Sequence, residues 1–310
     1  MQKNIRPICE KDHKKRFNIS KFASFIILFI VCFIWILPLL WMFGTSLKTD
    51  SELILNPLSL FPTMGVNLEH YKAFFNFKAT DANGAAGYFN IMVWVRNSAI
   101  VAVLTVVLSL SIYCLAAYAF VFLDFKYKKL AWAVILGSMT IPGVATYVAK
   151  YAMLMQLGKA FDYNGIYLYA CIILPGTCGV FNLFLVRQFF LSIPKDLVES
   201  AKIDGASNMK IFLNIILPIS KSVLFVTGMF AFIGAWNGYE WPQLILSGNV
   251  NQEVWGLLTP GLASWASGGS TTYMGRTMAA ATISTIPVII IYCFCQNRII
   301  DGIATTGVKR

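Results

Sequence analysis

Residues 193–220 read IPKDLVESAKIDGASNMKIFLNIILPIS and decide how the chain is organised. The stretch lies between long apolar blocks, yet its first half is charged and interrupted by glycine. Pro194 suits the first turn of a helix, where a missing N–H costs nothing, so a helix over 195–203 is predicted. Gly205 favours the left-handed position that ends a helix. Ser207 can then cap a second helix, which runs through apolar residues into a membrane span.

The predicted helix at 195–203 has two unlike faces. Leu197, Val198 and Ala201 share an apolar face, because their spacing matches one side of a helix. The other face carries charged side chains: Lys195, Glu199 and Lys202. The pattern predicts a short amphipathic helix lying flat on the membrane surface. On this pattern alone two interpretations stay open: a contact surface for another protein, or a helix resting on lipid headgroups.

The composition indicates a membrane protein. Of the 310 residues, 57% are hydrophobic and 13% are charged, whereas soluble domains carry about a quarter charged residues. The apolar residues form blocks of about 20 or more, the length that crosses a hydrocarbon core of ~30 Å. Pro218 is expected to kink the start of the fifth block. The prediction is an all-α polytopic membrane protein with six transmembrane helices, at 22–46, 91–122, 131–158, 165–191, 214–246 and 275–297.

Basic residues predict the orientation of these spans. Most lysines and arginines lie in the two terminal tails and in the segments 123–130 and 192–221, so the positive-inside rule places these in the cytoplasm. The predicted organisation has a cytoplasmic basic tail, a membrane domain and a cytoplasmic carboxyl-terminal tail: 1–21, 22–298 and 299–310. Within the membrane domain we expect two outer loops and one cytoplasmic helical region: 47–90, 247–274 and 193–211.

Several function classes are disfavoured. The net charge of +11 does not indicate nucleic-acid binding, because the basic residues flank apolar blocks instead of forming one face with aromatic platforms. The seven cysteines lie mostly in apolar blocks and there are only two histidines, so no metal site is predicted. The sequence has no G-x-x-x-x-G-K-[ST] loop for a nucleotide. We therefore expect no catalytic residue, metal or cofactor on this chain.

Two ionisable residues within the predicted spans are candidates for contact with a solute, because such residues are costly in a membrane. Lys150 lies in span three between Tyr147 and Tyr151. Glu240 lies in span five, near Trp236, Asn237 and Tyr239. Aromatic faces beside polar groups suit a sugar ring. The alternative is that both charges lie at the outer interface, within a belt of aromatic residues.

The opening stretch resembles the EAA loop of importer permease subunits of the ATP-binding-cassette (ABC) class, most of all the carbohydrate-uptake branch that includes the maltose permeases. The match is carried by three groups of residues: Glu199-Ser200-Ala201, Asp204-Gly205-Ala206 and Leu217-Pro218. Further segments also resemble that branch: RNSAIVAVL at 96–104, AAYAF at 116–120, MTIP at 139–142, RQFFLSIP at 187–194, GAWN at 234–237 and the tail at 301–310.

The resemblance implies a set of partners and a location. The chain would pair with a second homologous permease, two cytoplasmic ABC ATPase subunits and an extracellular or periplasmic solute-binding protein, in the lipid of a bacterial cytoplasmic membrane with both termini inside. The EAA helix would dock into a groove of an ATPase, with Glu199 meeting a basic side chain. ATP and Mg²⁺ would belong to the ATPase, so the chain itself is not an enzyme. The implied ATPase-coupling residues are Glu199, Ala201, Asp204, Gly205, Ala206, Leu217 and Pro218.

The function implied is that of the permease subunit of an ATP-driven, binding-protein-dependent importer, which moves a sugar or oligosaccharide by alternating access. One alternative keeps this machinery but changes the solute to an acidic glycan, a polyol or a phosphorylated polyol. A second alternative, from a different class, is a channel or receptor that is not coupled to an ATPase.

Overall fold

The computed structural model of the chain describes residues 19–75, 79–80, 86–87, 91–247, 252–266 and 271–307. Most of the predicted basic tail, namely residues 1–18, lies outside these residues, as do parts of both predicted outer loops and the last three residues.

Three long helices match three of the predicted spans. They are α1 (Ile19–Ser46), α4 (Ile91–Phe122) and α16 (Thr271–Gly307). Each contains an apolar stretch long enough to cross a membrane. Helix α16 runs well past the predicted end of the sixth span, so the first part of the predicted tail at 299–310 is helical and continues that helix.

The other three predicted spans are each broken into two helical parts. Helix α5 (Lys128–Gly137) and helix α6 (Tyr147–Gly158) are joined through short 3₁₀ turns, and the two parts lie 100° apart. Helix α7 (Gly165–Gly176) and helix α8 (Val180–Ser192) differ in direction by 50°. The described residues therefore hold three spans, or up to six if each bent pair counts as one. The number six stays a prediction.

The fifth predicted span, 214–246, is wrong in its extent. Helix α12 (Lys221–Trp236) ends before this span does, and Asn237 caps it through a bond from its own N–H to the carbonyl of Ile233 (3.0 Å). The residues that follow form a separate helix, α13 (Glu240–Leu246). The break coincides with Asn237-Gly238, a turn-forming pair followed by Glu240, and apolar residues resume only after it.

The entry to the fifth span is also irregular. After α9 (Lys195–Ile203) and α10 (Asn208–Ile211) come a π-helical turn at Phe212–Ile216 and α11 (Leu217–Ile219). Helix α12 (Lys221–Trp236) then departs at 80° to the preceding residues. The bend falls at Ser220, two residues after Pro218, where the buried hydroxyl donates to the Ile216 carbonyl (2.7 Å).

Both predicted outer loops contain helices. The first has α2 (Asp50–Leu55), α3 (Glu69–Phe75) and a two-residue antiparallel ladder of β1 (Ala79–Thr80) with β2 (Ala86–Gly87). The second has α14 (Gln252–Trp255) and α15 (Leu258–Ala266). This short ladder is the one departure from an all-helical fold among the described residues.

Helix α4 occupies the centre of the fold. It packs against α12 and α8, whereas α1 packs against α16. Its amide side chain at Asn97 donates to the carbonyls of Val254 (2.9 Å) and Gly256 (3.0 Å), and Ser98 accepts from the N–H of Leu258 (2.9 Å). These bonds fix the second loop region onto the membrane helices.

Residues 47–72, which we name the α2 segment, enclose two charged side chains. Lys48 is 0% exposed and donates to the carbonyls of Asn56 (3.2 Å), Pro57 (3.2 Å) and Ser59 (2.6 Å). Burial lowers the pKa of Lys48, and the nearby carboxylate of Glu52 partly offsets that effect. The segment therefore folds around a buried ammonium group.

Glu52 is the second enclosed charge and is also 0% exposed. Its carboxylate accepts from the N–H (2.5 Å) and hydroxyl (2.8 Å) of Thr63 and from the N–H of Met64 (3.3 Å). Burial acts to raise the pKa of Glu52, but these hydrogen bonds and Lys48 outweigh it, so the pKa lies below its ordinary value.

Candidate functional sites

Helix α9 begins and ends where the local sequence predicts. It covers Lys195–Ile203, with Pro194 immediately before the helix instead of in its first turn. Val198 is 3% exposed. It belongs to a buried cluster that includes Ile211 of α10, Phe190 of α8 and other residues of α4 and α8. One face of α9 is therefore held firmly against the membrane helices.

A Schellman motif ends α9. The N–H of Ala206 donates to the carbonyl of Ala201 (3.0 Å), and the N–H of Gly205 donates to that of Lys202 (3.0 Å). Gly205 has a φ of +75°, which favours glycine. Ser207 then caps α10 by accepting from the N–H of Lys210 (3.3 Å). The turn between the two helices is thus satisfied by its own hydrogen bonds.

The outward face of this region is open. Glu199 and Asp204 are exposed, and so are four large apolar side chains: Leu197, Ile203, Met209 and Leu213. Ile203 is 86% exposed. Of the three apolar residues predicted on one face, Val198 is buried, Ala201 is half-buried and Leu197 is exposed. The exposed face combines acidic and apolar groups, a composition suited to contact with another protein.

The remaining predicted coupling residues lie at the bend before α12. Leu217 is half-buried and packs against the same cluster as Val198, whereas Pro218 is exposed. The chain from the exposed face of α9 to α12 therefore runs without a long loop, through α10, the π-helical turn and the bend.

A cavity of about 570 Å³ lies among α4, α7, α8, α12 and α13. Three of the predicted pathway residues line it, namely Tyr147, Tyr239 and Glu240. Tyr147 and Trp241 form part of its wall, with ring centroids 5.4 Å apart. The cavity therefore has the aromatic surface and the carboxylate that the sequence suggested.

Lys150 lies close to two of these aromatic rings. Its ammonium lies 5.5 Å from the ring centroid of Tyr147 and 5.6 Å from that of Trp241, within the range of cation–π attraction. Lys150 is not among the residues that line the cavity. Its contacts hold the two rings together.

Three predicted pathway residues lie away from the cavity. Trp236 is buried, stacks on Phe232 and donates its indole N–H to the Ser284 carbonyl (2.9 Å). Tyr151 packs in an apolar cluster with α7, and Asn237 is exposed at the end of α12. Neighbours in sequence diverge here because α12 ends between Trp236 and Tyr239.

The cavity also contains polar residues that the sequence analysis missed. Tyr113 accepts a bond from the N–H of Gly179 (3.1 Å), and a Cβ at Gly179 would lie 2.6 Å from that hydroxyl. The buried amide oxygen of Asn182 has no hydrogen-bond partner among the described residues. The sequence signal for Tyr113 and Asn182 is weak, because each is a single polar residue within an apolar helix.

No cluster of three or more histidine, cysteine, aspartate or glutamate residues that could hold a metal occurs in the part of the chain that the structure describes.

Two curated proteins are similar to the chain over most of its length. The diacetylchitobiose uptake system permease protein NgcG of Streptomyces coelicolor is 30% identical over 275 residues, which are 87% of this chain and 82% of that protein. The trehalose/maltose transport system permease protein MalG of Thermococcus litoralis is 29% identical over 285 residues, or 92% of this chain and 94% of that one.

A solved structure has the same fold. It belongs to a bacterial ABC transporter involved in the import of the acidic polysaccharide alginate, and it matches with a TM-score of 0.70 at 20% identity, covering 94% of this chain and 99% of that chain. The predicted helical membrane fold is thereby confirmed. The family described as the binding-protein-dependent transport system inner membrane component matches residues 11–304, and the chain belongs to that family.

Proposed function

We propose that the chain is the permease subunit of an ATP-driven importer that carries a sugar or oligosaccharide across a bacterial cytoplasmic membrane. The observation that carries this proposal is the exposed acidic and apolar face of α9, which is rigidly joined to the bent fifth span. The two curated relatives support the solute class, because their names refer to diacetylchitobiose and to trehalose and maltose.

The exposed face of α9 would bind a partner ATPase. Ile203 and Leu197 would enter an apolar groove, and Glu199 would meet a basic side chain at its edge. ATP and Mg²⁺ would be bound by two such ATPase subunits, and this chain would bind neither. With the basic segments in the cytoplasm, both termini and α9 lie on the ATPase side.

Closure of the ATPases would be transmitted by α9 to the helices that form the cavity. A displaced α9 would carry Val198, which shares a cluster with Ile211 of α10 and with residues of α4 and α8, and it would pull through α10 on the bend at Ser220. Helix α12, which begins after that bend, forms one wall of the cavity. Nucleotide binding and solute access are then coupled through one shared free energy.

The cavity would form this chain's half of the solute pathway. The rings of Tyr147, Tyr239 and Trp241 offer faces for the C–H groups of a sugar, and the neighbouring polar groups can bind hydroxyls. A second, homologous permease would complete the pathway, and a solute-binding protein would deliver the sugar at the predicted outer loops.

Charge reversal on α9 tests the proposal. Glu199→Arg should remove most of the ATPase that copurifies with the chain from its own membranes, while the chain stays folded because Glu199 is exposed. The control is Asp124→Arg, which reverses another exposed carboxylate on the same predicted side. Retention of the ATPase in Glu199→Arg would contradict the proposal and favour a channel or receptor.

A further inference from the structure

The cavity carries an unbalanced negative charge. Among the described residues that line it, Glu240 is the one with a charged side chain. Glu240 is exposed, and it takes part in neither of the ion pairs found in the described residues. A solute in the cavity therefore meets a free carboxylate.

Lys150 does not neutralise this carboxylate directly. Its ammonium lies over the rings of Tyr147 and Trp241, which line the cavity, whereas Lys150 itself is not among the lining residues and forms no ion pair in the described residues. The lysine is half-buried there. Glu240 is therefore the charged side chain that the described lining of the cavity presents to a solute.

The other polar groups of the cavity are neutral. Thr105 already donates to the Val101 carbonyl (2.8 Å), and Tyr113 accepts from Gly179. The amide oxygen of Asn182 remains available to accept a hydrogen bond. The carboxylate and the amide oxygen both accept from hydroxyl and ammonium groups, whereas the donors left for an anion are neutral ones, the amide N–H₂ of Asn182 and the tyrosine hydroxyls.

We infer that Glu240 is a specificity-determining residue and that the cavity accepts neutral or amino-bearing sugars and rejects anionic glycans. The inference rests on the proposed function, because it concerns the solute of that pathway. It decides against an acidic glycan or a phosphorylated polyol, the alternatives that the sequence left open. A like charge near Glu240 disfavours an anion by about tenfold or more at an intermediate dielectric constant.

A thiol introduced into the cavity measures this charge without any partner protein. Gly234 lines the cavity, and a Cβ added there meets nothing within 4 Å. In the full chain with its seven native cysteines replaced, Gly234→Cys should react faster with a cationic than with an anionic methanethiosulfonate. We expect the rate ratio, divided by that of a free thiol, to be about tenfold.

Glu240→Gln should bring this ratio close to one. Glu199→Gln, the same change on α9, should leave it unchanged. A ratio that is the same in Glu240→Gln as in the parent, or a preference for the anionic reagent, would overturn the inference. If the Gly234→Cys chain fails to fold, Ala235→Cys provides a second reporter that also lines the cavity.

Protection by glycans tests the solute class. A chitosan trisaccharide, which carries amino groups, should slow the reaction of the introduced thiol, whereas an alginate trisaccharide of equal length and concentration should not. Glu240→Gln should reduce the difference. Equal or stronger protection by alginate, or protection by neither, would overturn the inference. The copurification experiment with Glu199→Arg tests the proposed function, and the thiol experiments test the charge of the cavity. A failure of one proposal can therefore be told apart from a failure of the other.

Discussion

The α2 segment and the α9 segment, residues 193–211, treat charged residues in opposite ways. Each contains a short helix beside a membrane span, and each has both acidic and basic side chains. In the α2 segment Lys48 and Glu52 are fully enclosed, whereas Glu199 and Asp204 of the α9 segment are exposed. The first segment encloses its charges within the fold, and the second leaves them exposed.

The difference lies in side chains and not in the main chain. Both segments satisfy their backbone groups locally, through the cap at Thr49 in one and the Schellman motif at Gly205 in the other. A rigid backbone with open side chains suits a docking surface, because little ordering is needed when the partner binds. Substitutions in the α2 segment should therefore affect folding, and exposed ones in the α9 segment should affect binding.

The largest expected effect is on the α2 segment. Lys48→Ala removes the fully buried donor shared by three backbone carbonyls and the cation near the buried Glu52, so we expect the free energy of unfolding to fall by about 3–5 kcal/mol. Thermal unfolding in detergent measures it. Lys72→Ala, at an exposed lysine of the same segment, should have almost no effect. A small loss in Lys48→Ala would show that the enclosed charges do not stabilise the segment.

The next effect concerns binding. Ile203→Ser removes an exposed apolar side chain, so unfolding should change by less than about 0.5 kcal/mol. If Ile203 enters the ATPase groove, affinity for the ATPase should fall by about tenfold or more. Ile54→Ser is the matched control, since Ile54 is 64% exposed in the α2 segment. It should change neither quantity, and an equal loss of affinity there would remove the contrast between the segments.

The sequence predicted the α9 segment well because its signals are local. Pro194, Gly205 and Ser207 lie within or beside the helices they delimit, so short-range rules suffice. The enclosure of Lys48 was not predictable in this way. Its acceptors lie 8 to 11 residues away, on a chain that first has to fold back.

The cavity was predicted only in part, for a related reason. Glu240 and Tyr239 line it, but Trp236 from the same sequence cluster is buried elsewhere, because the break after α12 redirects the chain. Tyr113 and Asn182 reach the cavity from α4 and α8. Contacts between distant helices leave no periodic pattern in one sequence.

A matched pair of glycine substitutions sharpens the comparison. Gly65 in the α2 segment and Gly205 in the α9 segment both have positive φ and open space around the Cβ position. Alanine at either position should destabilise the fold by about 1–2 kcal/mol. Only Gly205→Ala should also lower solute-stimulated ATP hydrolysis by the assembled importer, because it changes the angle at which α9 is held. Equal activity losses in both variants would indicate a general effect of instability.

The smallest expected effect is a pH dependence of the stability of the α2 segment. The pKa of Glu52 is lower in the folded chain than its ordinary value of 4.5, so its carboxylate contributes stability above that pH. The contribution is lost as the pH falls from 4.5 through the lower folded pKa, because over this range the unfolded state holds a proton that the folded state does not yet hold. Hydrogen exchange at Thr63 and Met64, measured from about pH 6 to about pH 3 and corrected for intrinsic rates, should therefore accelerate at the acid end. Glu52→Gln should remove this acid-dependent acceleration, and its persistence in that variant would assign it to another group.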